Sequence, residues 1–393
     1  MIKPARIESI DLLRGIVMIV MALDHVRDYF HADAFLYDPT DMSKTSVVLF
    51  FTRWITHYCA PVFLFLAGTS AFLIGLRKSK QELSMFLLKR GLWLVFLELT
   101  IVNFAWFFNT QFSLITLFVI WALGIGMIVL AACIHLPFKA TLAIGALMVI
   151  GHNAFDNFHV EGNNVDAILW SMVHQFQGFP LSKNYFLFIG YPLVPWIGVM
   201  MLGYCFGTFY QTSYRQAARR KILLYLGTGL VALFVLIRFI NGYGDPHPWS
   251  AQPNPVFTVL SFLNVTKYPP SLLYVLVTLG PAILFLAVSE NYYGAISQKI
   301  KVLGRVPMFY YLLHLYLIHL LAVAAALLTG YDASDMVFNT WVTNSPNLVG
   351  YGFNLWVVYV VWISVVLILY PLCKWYDTYK AIEQRSKWWL SYV

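Results

Sequence analysis

Charge is scarce in this chain: 11% of its 393 residues are Asp, Glu, Lys or Arg, against 60% hydrophobic and 17% aromatic. So little charge cannot cover the wetted surface of a globular protein of this length, which excludes an ordinary soluble fold. Cysteine is scarce too. Cys59, Cys133, Cys205 and Cys373 stand far apart with no CxxC or ligand spacing, so neither a disulfide framework nor a metal site is expected. A glycine-rich phosphate loop is also missing; "LGIGMI" lies inside an apolar run, where its glycines suit close helix packing. Nor does the amino terminus read as a cleavable leader. Lys3 and Arg6 are followed by Asp11 and Arg14, and no small-residue site closes a short apolar core, so the first apolar segment is expected to be retained.

What the chain has instead is long apolar runs, each near the roughly 20 residues that cross a hydrocarbon core as a helix. About ten fall near residues 9–31, 47–76, 85–108, 112–134, 138–152, 187–210, 221–240, 270–289, 305–328 and 352–375. A transmembrane barrel would show short alternating segments, whereas "LITLFVIWALGIGMIVLAA" is continuous. An all-α polytopic transmembrane bundle is therefore expected, folded as one integral-membrane domain over residues 1–393.

The basic residues sort by side. "RKSKQELSMFLLKR", "YRQAARRK", "QKIKVLGR" and the tail "KWYDTYKAIEQRSK" all fall on one side of alternating spans, which makes that side cytoplasmic and places both termini there. The net charge of +8 thus reads as a topology signal, not as a nucleic-acid footprint. The longest loops, 152–186 and 241–269, lie on the other side and are too short to bury a core of their own. The second is rich in proline with an apolar centre, and is expected to lie along the membrane or fold back over a cavity.

Against this background the first span is unusual. In "DLLRGIVMIVMALDHVRDYF" Arg14 and His25 are eleven residues apart, and eleven helical steps of about 100° return to within about 20° of one face. Asp11, Arg14, Met18, Met21, His25 and Asp28 form one stripe, with Arg14 and His25 about 16 Å apart along the axis. Ionisable groups in a span are costly and normally mark a path or a site. Asp24, Arg27 and Asp28 can instead form interfacial ion pairs. Other spans bring His57, with Arg53 one turn before it, Glu98, and His314 with Tyr310 one turn before it to similar depths. Pro61 should break the helix at His57. At the outer mouth stand His152, Asn153, Asp156 and His174, of which Asn153 and Asp156 suit a sugar or a loop closure equally.

"RIESIDLLRGIVMIVMALDH", "CAPVFLFLAGTSAFLIG", "YPLVPWIGVMMLGYCFG", "TKYPPSL" and "LGRVPMFYYLLHLYLIH" together resemble the bacterial relatives of the catalytic domain of heparan-alpha-glucosaminide N-acetyltransferase. The resemblance implies a membrane-embedded acyltransferase, in a bacterial cytoplasmic membrane, that moves an acetyl or other acyl group from cytoplasmic acyl-CoA to an acceptor on the far side. It implies no resident cofactor; acetyl-CoA or another acyl-CoA is the co-substrate. The type-3 branch of the wider superfamily carries an Arg and, eleven residues on, a His needed for transfer, which Arg14 and His25 match. The lysosomal enzyme has Asn in place of that His and a reactive His in the following loop, where this chain offers His31.

Acyl transfer needs a base for the acceptor proton, and imidazole titrates near neutral pH. The candidates are His25 and His57, then His31, with Asp24, Glu98 or Asp156 to orient the ring. His314 and Tyr310 are candidate oxyanion donors. Arg14 suits a CoA phosphate or the pantetheine end, and Arg77, Lys78, Lys80, Lys89 and Arg90 either hold the nucleotide or only set topology. Glu98, His152, Asn153, Asp156 and Tyr310 are the candidates for acceptor binding. The expected partners are acyl-CoA, an extracytoplasmic sugar or glycan hydroxyl or amine, and the bilayer; a homodimer is compatible with this reading and nucleic acid is not. The rival is a proton-coupled secondary transporter using the same histidines, which should show paired broken spans in two repeated halves. No such repeat is found.

Overall fold

The computed structural model describes residues 7–383 except 291 and 293, and also residues 386, 387 and 390. Helix α1 (Glu8–Phe30) leads to α2 (Val47–Ile55) and α3 (Cys59–Gly75), which a 3-10 turn at Thr56–Tyr58 joins into one bent rod. The cause of the bend is Pro61, whose ring conflicts with the carbonyl one turn earlier. That carbonyl, of His57, accepts instead from the Tyr274 hydroxyl at 2.7 Å. Next, α4 (Lys80–Leu97), opened by a Ser79–Glu82 capping box, passes through a π-turn at Glu98–Val102 into α5 (Asn103–Phe107).

Strand β1 (Leu114–Leu117) precedes α6 (Val119–Cys133) and α7 (Phe138–Gly151); α8 (Val165–Val173) and strands β2 (Gln177–Pro180) and β3 (Phe186–Ile189) then form a cap before α9 (Leu193–Phe206). The chain continues through α10 (Gln216–Ile240), α11 (Pro255–Leu263), α12 (Leu272–Ser289), α13 (Ala295–Arg305), α14 (Pro307–Leu328) and α15 (Leu355–Glu383).

The protein is an integral membrane protein. Seven helices among the described residues are long and apolar enough to cross a bilayer: Val47–Gly75, Phe138–Phe155, Leu193–Tyr210, Gln216–Ile240, Leu272–Ser289, Pro307–Leu328 and Leu355–Glu383. The other three expected runs differ for physical reasons. α1 carries Glu8, Asp11, Arg14, Asp24, Arg27 and Asp28. α4 carries four charges and reaches its full length only through the π-turn. The run expected at 112–134 holds a helix of only 15 residues, because Leu114–Leu117 extends as a strand and pairs in parallel with Phe186–Ile189. The run expected from residue 187 begins as that partner strand, and its helix starts at Leu193. The 152–186 loop also does more than expected: with β1 and β3 it buries a small satellite core of Leu117, Ala167, Phe179 and Ile189.

α1 runs through the middle of the bundle against α3, α12, α13, α14 and α15. Its crossing with α13 is close enough that a Cβ on Gly15 would overlap the Ile300 carbonyl, and one on Gly304 the Asp11 carbonyl. Glycines at such points let backbones approach to where packing is strongest. The "LGIGMI" glycines act likewise, Gly124 against the Gly91 carbonyl and Gly126 against Met200.

The proline-rich loop folds back over the bundle around a buried arginine. Arg238 donates to the carbonyls of Phe262 at 3.0 Å, His247 at 2.9 Å, Ser261 at 3.0 Å and Asn264 at 2.5 Å. Asp245 beside it accepts from Thr266 N at 2.8 Å and the Ser271 hydroxyl at 2.6 Å. Side chains thus satisfy a backbone that neither helix nor sheet pairs.

Candidate functional site

Two cavities enter the bundle from opposite ends. The one at the end carrying the cap, named the outer cavity after the expected topology, is about 1260 Å³ and draws its lining from the chain segments 24–39, 106–119, 176–191, 267–268 and 337–344 with Arg53 and Tyr311. The one at the opposite end, named the inner cavity after the same expectation, is about 230 Å³ and is lined at its mouth by Arg14, Arg90, Arg305 and Lys380 and further in by Met18 and Met21. Tyr311 and Val119 belong to both linings, so the cavities adjoin there. The α1 stripe follows this line: Arg14, Met18 and Met21 face the inner cavity, His25 and Asp28 the outer.

At the junction, His25 Nδ1 lies 2.7 Å from His314 Nε2, and His314 Nδ1 lies 3.0 Å from the Tyr310 carbonyl. A carbonyl only accepts, so His314 Nδ1 must carry the proton. In the neutral ring Nε2 is then an acceptor, and His25 Nδ1–H donates to it. The consequence is that neutral His25 holds its lone pair on Nε2, the nitrogen not committed to His314. Trp106 packs edge-on against His25 with ring centroids 4.7 Å apart, and Tyr311 lies 6.4 Å away. Both line the outer cavity, and together with His314 they fix the imidazole plane.

The acidic groups expected to orient a histidine are engaged elsewhere. Asp24 faces three cations: Arg53 Nη1 at 2.9 and 2.8 Å, Arg27 at 3.0 Å and Lys267 at 3.9 Å. Arg27 also pairs with Asp28 at 2.6 Å, so the interfacial ion pairs expected of these residues are present in a larger network at the outer cavity. Glu98 lines neither cavity. It caps the start of α6, accepting from Phe118 N at 3.2 Å and Trp121 N at 3.1 Å, where a carboxylate suits the positive end of a helix. Since Val119 begins that helix, Glu98 sets one wall of the junction.

His57 is buried against Tyr274, with ring centroids 5.3 Å apart, outside both cavities. His31 is also buried outside them. Tyr310 is buried and stacks on His314 at 5.3 Å, but its neighbour Tyr311 is the one that faces the cavities. With both ring nitrogens taken, His314 has no proton to offer an oxyanion.

Of the basic cluster, only Arg90 lines the inner cavity; Arg77, Lys78, Lys80 and Lys89 are exposed outside it. Arg14 reaches Ser70 Oγ at 3.0 Å, the Gly304 carbonyl at 3.3 Å and Asp11 at 3.5 Å. In the sequence, Arg305 and Lys380 carry only a topology signal. Arg305 is held at the inner mouth by Asp377, 2.6 Å away on α15. No local pattern marks that pairing, since 72 residues separate the two.

His152, Asn153 and Asp156 lie away from both cavities, and they gather with His174. The sequence expectation of no metal set rested on cysteine; His152, Asp156 and His174 offer ligand atoms all within 4.8 Å of one another.

Compared with known families, the chain matches the family model described as heparan-alpha-glucosaminide N-acetyltransferase, catalytic, over residues 6–235. That stretch covers α1 to most of α10, including Arg14, His25 and the whole outer cap. No curated protein matches the chain.

Proposed function

Because the chain belongs to the heparan-alpha-glucosaminide N-acetyltransferase catalytic family, and so is a membrane acetyltransferase, we propose that it carries acetyl from cytoplasmic acetyl-CoA to a sugar hydroxyl or amine on the far side. The observation that carries this reading is the junction: a small cation-mouthed cavity and a large one of mixed polar and aromatic lining adjoin at Tyr311, beside the uncommitted nitrogen of His25.

The inner mouth offers four cationic side chains to the phosphates of CoA, and Arg14 can bind phosphate through a two-pronged fork. An extended pantetheine arm of roughly 15–20 Å spans the rise from Arg14 to His25. The outer cavity presents amides such as Asn339 and Asn344 together with Trp106 and Trp341, a lining of flat apolar plates and hydrogen-bonding groups that fits a sugar ring. His25 Nε2 takes the proton of the acceptor O–H or N–H as that atom attacks the thioester carbonyl. The new C–O or C–N bond forms, the C–S bond breaks, and the proton passes from the imidazolium to the departing CoA thiolate. Tyr311 is placed at the junction to donate to the transient oxyanion.

Replacing Arg14 with Ala is expected to weaken acetyl-CoA binding about 10–100-fold, the scale of one lost charge-assisted contact. Arg14→Lys should keep part of the affinity. Thermal stabilisation of the purified protein by acetyl-CoA measures this. Undiminished stabilisation of a folded Arg14→Ala protein would remove Arg14 from the donor site.

The same reading requires ten crossings with the basic face cytoplasmic. Single cysteines at 78–82 and 212–218 should resist an impermeant thiol reagent applied from outside, while those at 160–165 and 248–254 react. The reverse pattern would invert the donor and acceptor sides.

A further inference from the structure

Beyond the acetyl-transfer site, we propose that His152, Asp156 and His174 bind one divalent transition-metal ion, of the zinc class, that pins the outer cap to the bundle. The three come from two successive elements linked only by the loop 157–164. His152 and Asp156 sit in and just after the 3-10 turn ending α7, while His174 ends α8 in the cap. His152 and His174 are buried, 3% and 5% exposed. Neither nitrogen of His152 nor Nε2 of His174 makes a hydrogen bond, although such buried groups normally find a partner. The Pro270 carbonyl faces the His152 ring without reaching hydrogen-bond geometry.

The donor chemistry fits. Two neutral imidazoles and one carboxylate are a common ligand set for zinc, with a fourth position left for water. His174 Nε2 and Asp156 Oδ1 are 3.4 Å apart, near the roughly 3.3 Å edge of a tetrahedron with ligands about 2.0–2.1 Å from the ion. Asp156 is aimed by an outer partner: its Oδ2 accepts from Asn153 Nδ2 at 2.8 Å, leaving Oδ1 for the ion. Asn153 is itself fixed, its side-chain oxygen accepting from Leu272 N at 2.9 Å. The His152 donor lies within 4.8 Å of the other two, and binding of the ion requires it to close to the tetrahedral edge.

The position gives the ion a structural role. Phe176, two residues beyond His174, lines the outer cavity, as does Lys267 shortly before Pro270. An ion here joins α7, α8 and the start of α12 beside the cavity wall.

The test uses the whole purified protein, stripped with a chelator and dialysed against Zn²⁺ or Co²⁺ alone. Elemental analysis should return about one metal per chain, and Co²⁺ should show the intense visible bands of a tetrahedral N/O site. His174→Ala and Asp156→Asn should each lower affinity at least tenfold, whereas the exposed His159→Ala should not. Chelation should lower the thermal midpoint of the wild type and leave that of His174→Ala unchanged, which holds even if the variant is less stable. Substoichiometric metal in the wild type, or equal loss on His159→Ala, would overturn the site. Neither result bears on acetyl transfer.

Discussion

Replacing His25 with Ala is expected to lower acetyl transfer by about 10²–10⁴-fold, the range for a positioned acid–base group, while acetyl-CoA still stabilises the protein. The proton map at the junction sets this expectation. The Tyr310 carbonyl forces the His314 proton onto Nδ1, His314 Nε2 then accepts from His25 Nδ1, and His25 Nε2 is left basic. His314 is a positioning residue in this scheme, and its substitutions separate positioning from packing. His314→Gln offers a carbonyl oxygen to His25 Nδ1–H and should recover part of kcat; His314→Leu offers none and should not. His57→Ala is the matched control, since His57 packs on Tyr274 outside both cavities. Transfer abolished by His57→Ala but retained by His25→Ala would move the base to the second rod. If both leave transfer intact and abolish solute uptake, the transporter reading replaces the enzyme.

Arg238→Met is expected to cost about 3–5 kcal/mol of stability, because removing one partner of a buried charged cluster strands the rest. Four backbone carbonyls would lose their donor and Asp245, 4.0 Å from the guanidinium, its nearby cation. The loop from Asn241 to Ser271 carries Lys267 and Tyr268 into the outer cavity, so its release should also loosen that wall. Arg238→Lys should rescue little, since three ammonium protons cannot reach four carbonyls held in a planar fan. Thermal unfolding and limited proteolysis between residues 245 and 254 measure both effects. A wild-type midpoint with an intact loop in Arg238→Met would show that the loop is held by its apolar contacts alone.

The residues that sequence reasoning placed well are those whose position follows from one helix. Arg14 and His25 lie eleven residues apart on α1, so helical periodicity alone puts them on one stripe at two depths. The break at His57 likewise needs only Pro61 and the backbone one turn before it. Family membership was legible for a similar reason: the motifs that carry it are local strings, and the matched region begins at residue 6, just before the first of these spans.

Other assignments depended on rotations and distances between elements, which no local pattern contains. Tyr310 and Tyr311 precede His314 by four and three residues and are both neighbours of it on a helix, so only the packing of α14 decides which one faces the cavities. Glu98 reads in sequence as a costly charge in a span, and only the start of α6, twenty residues on, turns it into a cap. Arg305 meets Asp377, and His174 meets Asp156, across elements whose approach is set by the bundle. Composition and period therefore determined that this chain lives in a membrane, that its spans are helical, and which face of the first span is polar, because hydropathy and helical repeat act residue by residue. Which polar groups meet, which are consumed in capping, and where the two cavities adjoin was decided by tertiary packing, because buried charges and hydrogen bonds are satisfied by whatever partner the fold brings within about 3 Å.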